Sequence, residues 1–276
     1  MKTKTVNFFL FILLLALSAV FVFPIFIVFI NSFKLKFSIA TAPFVLPDKE
    51  TFTGIENYIE GINTSGFLSA FWWSLFITVL SVAAIVIFTS MTAWYIIRVK
   101  NLFTSTLYYA LVFSMIVPFQ MVMFTMSKTA NVLGLDNPLG IILLYLGFGA
   151  GLSVFMFSGF IKTVPRGIEE AATIDGCNTL QVFWRVVFPV LKPTAITVAI
   201  LNAMWIWNDY LLPYLVIGND YKTIPIAVQY LKGGYGSVDM GAMMAMLVLS
   251  IIPVIIFYLF CQKYIIKGVA SGAVKG

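Results

Sequence analysis

The chain has 276 residues, 61% of them hydrophobic and only 10% charged, with a mean hydropathy of +1.00. Soluble domains carry about 25% charged residues, so water is excluded as its main solvent, a soluble enzyme is ruled out, and the chain reads as an integral membrane protein. It contains no histidine, which removes imidazole as base, proton shuttle or metal ligand. Its two cysteines, Cys177 and Cys261, stand too far apart for a metal knuckle or redox pair.

A helix needs roughly 17–25 apolar residues to cross a bilayer. Reading for such runs predicts an all-α, polytopic protein with six transmembrane helices: Phe8 to Ile30, Trp72 to Ile97, Leu102 to Met126, Leu139 to Ile161, Thr194 to Ile217 and Gly241 to Ile266. The first run follows Lys2 and Lys4 but exceeds the apolar stretch of a cleaved signal peptide, so it is expected to remain as an anchor. The connection from Asn31 to Phe71 carries Pro43, Pro47, Gly54, Gly61 and Gly66 and reads as loops plus a short helix around Ile55 to Ile62. Residues 1–69 are thus expected to form the first span with a long outer loop, residues 70–266 the main membrane domain, and residues 267–276 a tail.

Placing both termini in the cytosol puts Lys2, Lys4, Arg98, Lys100, Lys162, Arg166, Arg185, Lys192, Lys263, Lys267 and Lys275 on the inner side, the bias that basic residues follow. The net charge of +6 is then a matter of topology. Because the charges are spread over loop ends rather than gathered on one face, no nucleic-acid partner is expected; membrane lipid is.

Residues 162–193, between the fourth and fifth spans, hold more order than a linker needs. Thr163 is expected to cap a helix with Pro165 in its first turn, and Glu169 and Glu170 place negative charge near its positive end. Gly176 follows where a left-handed cap favours glycine. Asn178 is expected to cap a second helix from Thr179 towards Phe188, which Pro189 stops. From periodicity alone, this helix, turn, helix unit is equally well an amphipathic interfacial loop.

The run Glu170, Ala171, Ala172, three residues, Gly176, nine residues, Val186, one residue, Phe188, Pro189 resembles the E-A-A, x3, G, x9, I, x, L-P signature of permease subunits in binding-protein-dependent ABC importers. Val186 and Phe188 replace isoleucine and leucine, apolar for apolar. Pro118 and Phe119, the Leu133, Gly134, Leu135 turn, Trp207, Asn208 and Asp209 with Leu212 and Pro213, and the ending from Lys267 are similar to the carbohydrate branch, in particular to the smaller permease subunit of maltose-type importers.

The resemblance implies a type I importer permease fold. It also implies a half-channel paired with a second homologous permease chain, two ATP-binding subunits below and an extracytoplasmic sugar-binding protein outside. No G-x-x-x-x-G-K-[ST] loop occurs in the sequence, so the chain is not expected to be an enzyme or to carry a cofactor; ATP and Mg belong on the partner ATPase. In the family the E-A-A loop docks on that ATPase, which assigns Glu169, Glu170, Ala171, Ala172, Asp175 and Gly176 to the contact. The tail from Ser271 to Gly276 is expected to lie beside the ATPases.

A substrate path is read from Asp209, the outstanding acid of the fifth span, with Asn202, Trp205, Trp207 and Asn208 near it in sequence and Gln120 and Ser158 as weaker candidates. The plain alternative is that Asp209 and its neighbours cap the outer end of the fifth helix or seal an interface. Glycines 147, 149, 151 and 159 are read as sites of close helix approach. The expected cargo is a di- or oligosaccharide; a secondary, ion-coupled transporter is the rival class, although no inverted repeat is detected.

Overall fold

The computed structural model describes residues 2–218, 220–231 and 239–273. In chain order the elements are α1 (Lys2–Asn31), α2 (Lys36–Thr41), α3 (Glu56–Ser65), α4 (Phe67–Arg98), α5 (Leu102–Ser114), α6 (Phe119–Val132), α7 (Pro138–Ile161), α8 (Gly167–Ile174), α9 (Thr179–Val182), a π-helical turn (Phe183–Val187), α10 (Phe188–Asn208), α11 (Leu211–Val216), α12 (Ile224–Tyr230) and α13 (Met240–Ala273). Pairing outside the helices is confined, among the described residues, to one bridge between Lys34 and Phe52. Among the described residues, five helical segments are long and apolar enough to span a membrane, and α5 with α6 make a sixth if that bent pair is one span.

Two of the expected spans are corrected. The run from Leu102 to Met126 is not one straight helix: α5 and α6 meet at 109° across Met115 to Pro118. Pro118 lacks an N–H and takes an extended conformation as the cap of α6, with φ −61° and ψ 133°, and its ring disfavours helix in the residue before it. The span expected over Thr194 to Ile217 starts earlier and ends sooner. Its helical run is Thr179–Asn208, and the chain breaks at Asp209, with φ −73° and ψ 125°. Pro189 therefore does not stop the helix. The Phe188 N–H reaches back to the Phe183 carbonyl, and this wider turn delivers Pro189 into the first turn of α10, where a missing N–H matters least.

The chain forms two compact units, Met1–Ala70 with Ile226–Ile255, and Phe71–Pro225 with Ile256–Gly276. In the first, the stretch read as mostly loop is ordered. Asn57 on α3 donates to the carbonyls of Ser32 and Lys34, both at 2.9 Å, and the Ser32 hydroxyl meets the Tyr58 hydroxyl at 2.7 Å. The helix α2 was not expected, while α3 covers and extends the short helix read around Ile55 to Ile62.

In the second unit α7 packs against α5 and α10, around Ile85, Tyr145, Phe157, Phe183, Leu191 and Val198. Two of the four glycines read as close-approach sites carry that packing. A Cβ at Gly149 would come within 2.7 Å of the Ile85 side chain, and one at Gly151 within 2.6 Å of the Leu111 carbonyl oxygen. Gly147 and Gly159 face open space. Of the tail read from Ser271 to Gly276, residues 271–273 close α13 and residues 274–276 fall outside the described residues.

Candidate functional site

The segment between α7 and α10 is the most elaborately terminated part of the chain. Thr163, expected to open its first helix, instead returns its hydroxyl to the Phe160 carbonyl at 2.7 Å. The helix α8 begins at Gly167, with Arg166 at the cap position. Its end is a Schellman turn: the Gly176 N–H bonds Thr173 O and the Cys177 N–H bonds Ala172 O, both at 3.0 Å. Gly176 sits at φ +87°, a conformation that side chains disfavour. Asn178 then opens α9 with a reciprocal capping box to Gln181, both bonds at 2.9 Å.

Within α8 the two adjacent glutamates part company. Successive helical residues are about 100° apart, so one can face in while the next faces out. Glu169 is 9% exposed. Its carboxylate accepts from Arg98 Nη2 at 2.6 Å, from Arg98 Nε at 3.0 Å and from Trp94 Nε1 at 2.9 Å. Arg98 also donates to the Val164 carbonyl at 3.1 Å. The ion pair thus ties α8 to the last turn of α4. Trp94 continues the contact by packing on Phe183 of the π-turn, with ring centroids 5.6 Å apart. Glu169 is therefore held by the chain's own arginine, a partner that its grouping with the other loop residues did not foresee.

Glu170, Ala171, Asp175 and Gly176 are exposed, Ala172 is buried, and Ile174 stands out at 86% exposure. Beside them opens a cleft of about 780 Å³ whose lining includes Trp94, Arg98, Arg166, Glu169, Glu170 and Ile174. An outward row of small, acidic and apolar groups next to a cleft walled by both arginines and glutamates suits a protein partner rather than a small molecule.

The residues read as a substrate path do not share one face. Asp209 accepts from the Tyr145 hydroxyl at 3.0 Å and from the Leu211 N–H at 3.0 Å. It ties the α10–α11 break to α7 and accepts from the first residue of α11. Asn202 is buried and donates to Ser153 Oγ at 3.2 Å and Val198 O at 2.9 Å. Trp205 meets Tyr145 edge-on at 5.4 Å, whereas Trp207, two residues and about 200° further round the helix, meets Phe71 at 6.0 Å. Asn208 is exposed and donates to Met204 O at 2.7 Å. Gln120 is exposed in the first turn of α6, and Ser158 is buried with its hydroxyl unpaired. Sequence reading missed Trp94, Arg98 and Tyr145. For the first two a signal existed, since an arginine four residues after a tryptophan at a helix end places both on one face.

Residues 98–271 match the family described as "binding-protein-dependent transport system inner membrane component". Over nearly their whole lengths, two curated proteins are similar. The probable starch degradation products transport system permease protein AmyC of Thermoanaerobacterium thermosulfurigenes is 37% identical, covering 95% of this chain and 94% of its own. The multiple sugar-binding transport system permease protein MsmG of Streptococcus mutans is 35% identical, covering 99% of each. In fold the chain is similar to a chain in the crystal structure of a bacterial ABC transporter involved in import of the acidic polysaccharide alginate, with a TM-score of 0.78 over 96% of this chain and 98% of that one, at 24% identity.

Proposed function

The chain belongs to the inner membrane component family of binding-protein-dependent transport systems and is a multi-pass protein of the cell membrane; on that footing we propose that it is the permease subunit through which an ATP-driven importer moves a di- or oligosaccharide. Its similarity along the whole chain to permeases named for starch degradation products and for multiple sugars is the observation that carries the sugar reading. Family membership removes the ion-coupled transporter from consideration.

ATP and Mg would then be bound and used by partner ATPase subunits, with a second permease chain completing the channel and a sugar-binding protein delivering cargo. The docking surface for the ATPase is the outward row of α8, namely Glu170, Ala171 and Asp175 with Gly176 at its end, and Ala172 seats that row on the bundle. Glu169 holds the row in place from behind. What supports this reading is the openness of that row beside the cleft, with carboxylates free to accept from basic groups on a partner. The end of α4 that carries Arg98 would then face the cytosol.

Co-purification of the chain with its ATPase, followed by ATP hydrolysis in lipid with a panel of di- and oligosaccharides and the binding protein, tests the proposal. Sugar-stimulated hydrolysis in the wild type, lost in Glu170→Lys, is expected. Equal stimulation in both would remove Glu170 from the contact, and failure of any ATPase to associate would remove the importer reading.

A further inference from the structure

The first unit contains a segment that its position in a membrane protein makes unusual. After α1 ends at Asn31 the chain does not leave for solvent. It turns back. The Asn31 side-chain amide donates to the Pro43 carbonyl at 2.8 Å, and Lys34 Nζ donates to the Ala42 carbonyl at 2.9 Å. Lys34 is 1% exposed, so its charge is turned inward to hold this fold. Beyond these two pins, Phe44 reaches back along α1 and stacks on Phe23, with centroids 6.4 Å apart and planes 11° from parallel.

The depth of that contact follows from helix geometry. Phe23 precedes Asn31 by eight residues, about 12 Å along the axis. The span Val6–Asn31 has 26 residues, about 39 Å of helix against about 30 Å of hydrocarbon. Even if the whole excess of about 9 Å projected at the Asn31 end, Phe23 would lie within the hydrocarbon, and tilting α1 only deepens it.

The chemistry of the segment agrees. From Phe37 to Pro47 no residue is charged. Phe44 is 71% exposed, and Phe37, Val45 and Leu46 are likewise open, continuous with an α1 surface that is exposed at every position from Val6 to Phe26. Backbone entering an apolar medium must have its polar groups satisfied. At the base of the segment the Ala42 and Pro43 carbonyls are taken by Lys34 and Asn31, the Ala42 N–H bonds Ser38 O at 3.0 Å and the Val45 N–H bonds Ala42 O at 3.3 Å, and Pro43 and Pro47 bring no N–H. Charge returns at once afterwards with Asp48, Lys49 and Glu50. The Thr51 hydroxyl and backbone amide hold the Asp48 carboxyl below the usual carboxylate range, as suits a residue back in water.

We infer that the segment from Phe37 to Pro47 is an interfacial wedge, folded back beside α1 so that Phe44, Val45 and Leu46 insert among the acyl chains of the surrounding phospholipid. It anchors the Asn31 end of α1 and the α2–α3 region at fixed depth. The inference is independent of which solute the protein carries.

Depth can be read directly. In the assembled importer in lipid nanodiscs, with Cys177 and Cys261 replaced by Ser, nitroxide labels at Val45→Cys, Leu46→Cys, Phe21→Cys and Lys49→Cys are compared for collisions with oxygen and with a water-soluble nickel chelate. The wedge requires an oxygen-to-nickel ratio at positions 45 and 46 several-fold above that at 49 and near that at 21. A ratio like that at 49 would place the segment in water. Low collision with both reagents would place it under another protein chain. Either result overturns the inference. A second measurement needs no substitution: a lipid-dissolved carbene probe is photolysed in the native complex, and the tryptic peptide between Lys36 and Lys49 is weighed. Label on that peptide is expected, and its absence, with α1 labelled, also overturns the inference.

Discussion

Arg98→Ala is the most informative single change, because it strands a carboxylate that the fold has withdrawn from water. The side chains of Arg98 and Glu169 are 15% and 11% exposed, and without the guanidinium Glu169 keeps only the Trp94 N–H. Removing one partner of a buried ion pair costs about 3–5 kcal/mol. This pair borders an open cleft, so water reaches the stranded group and the lower figure of about 2–3 kcal/mol applies. Replacing both residues by Met removes the charges together and should cost about 1 kcal/mol or less. Hydrogen exchange of the peptide covering α8, with the chain in nanodiscs, reads the cost as local opening. About 2 kcal/mol corresponds to a loss of protection of roughly thirtyfold. Arg98→Ala and Glu169→Gln should each lose protection, and the double Met variant should recover most of it. Single losses that add within about 0.5 kcal/mol in the double variant, or no loss in Arg98→Ala, would refute the clasp.

The remaining outcomes are simpler to state. Gly176→Val should cost roughly 1–2 kcal/mol, since its left-handed conformation penalises any Cβ although no atom lies near one; Gly176→Asn should be milder, and α8 exchange with sugar uptake distinguishes them. Gly151→Ala should lower the inactivation temperature, whereas Gly147→Ala should leave it unchanged, because a Cβ at the former meets the Leu111 backbone carbonyl and one at the latter meets nothing. Asp209→Ala should cost about 1–3 kcal/mol by leaving the buried Tyr145 hydroxyl unpaired, while Asp209→Asn, which keeps an acceptor, should retain most thermal stability and uptake. If Asp209→Asn alone eliminated transport in a stable complex, a role in the substrate path would return.

Four of the six spans were legible because the bilayer imposes a length that composition reports. The exceptions were governed by local backbone chemistry. Pro118 marked the α5–α6 break, yet an apolar run that continues through a proline gives no sign that its two halves diverge by 109°. Pro189 misled in the opposite direction, because a π-turn is not written in hydropathy. The E-A-A loop was placed by its spacing, and its glycine and asparagine caps followed from residue type. What spacing could not separate was Glu169 from Glu170. The difference lies with Arg98 and Trp94, about 70 residues away in sequence, and no local pattern encodes so distant a partner. Arg98 was instead read for topology, where its charge counted but its geometry did not.

The attachments of α8 constrain how work could pass from the proposed docking face. Its N-terminal turn is held to the end of α4 through Glu169, its middle is seated by the buried Ala172, and its C-terminal turn leads through Asn178 into a run that is helical to Asn208. Trp94 bridges the first and last of these by touching both Glu169 and Phe183. A push on the outward face of α8 therefore cannot displace α8 alone without opening the ion pair or the Trp94–Phe183 contact. At its far end α10 is fixed to α7 by Asn202 with Ser153 and by Asp209 with Tyr145. Displacement entering at α8 without breaking these contacts would arrive at the α10–α11 break as movement of a unit containing α4, α7 and α10. Asp209, whose carboxylate accepts from Tyr145, therefore stands where a displacement entering at α8 would arrive.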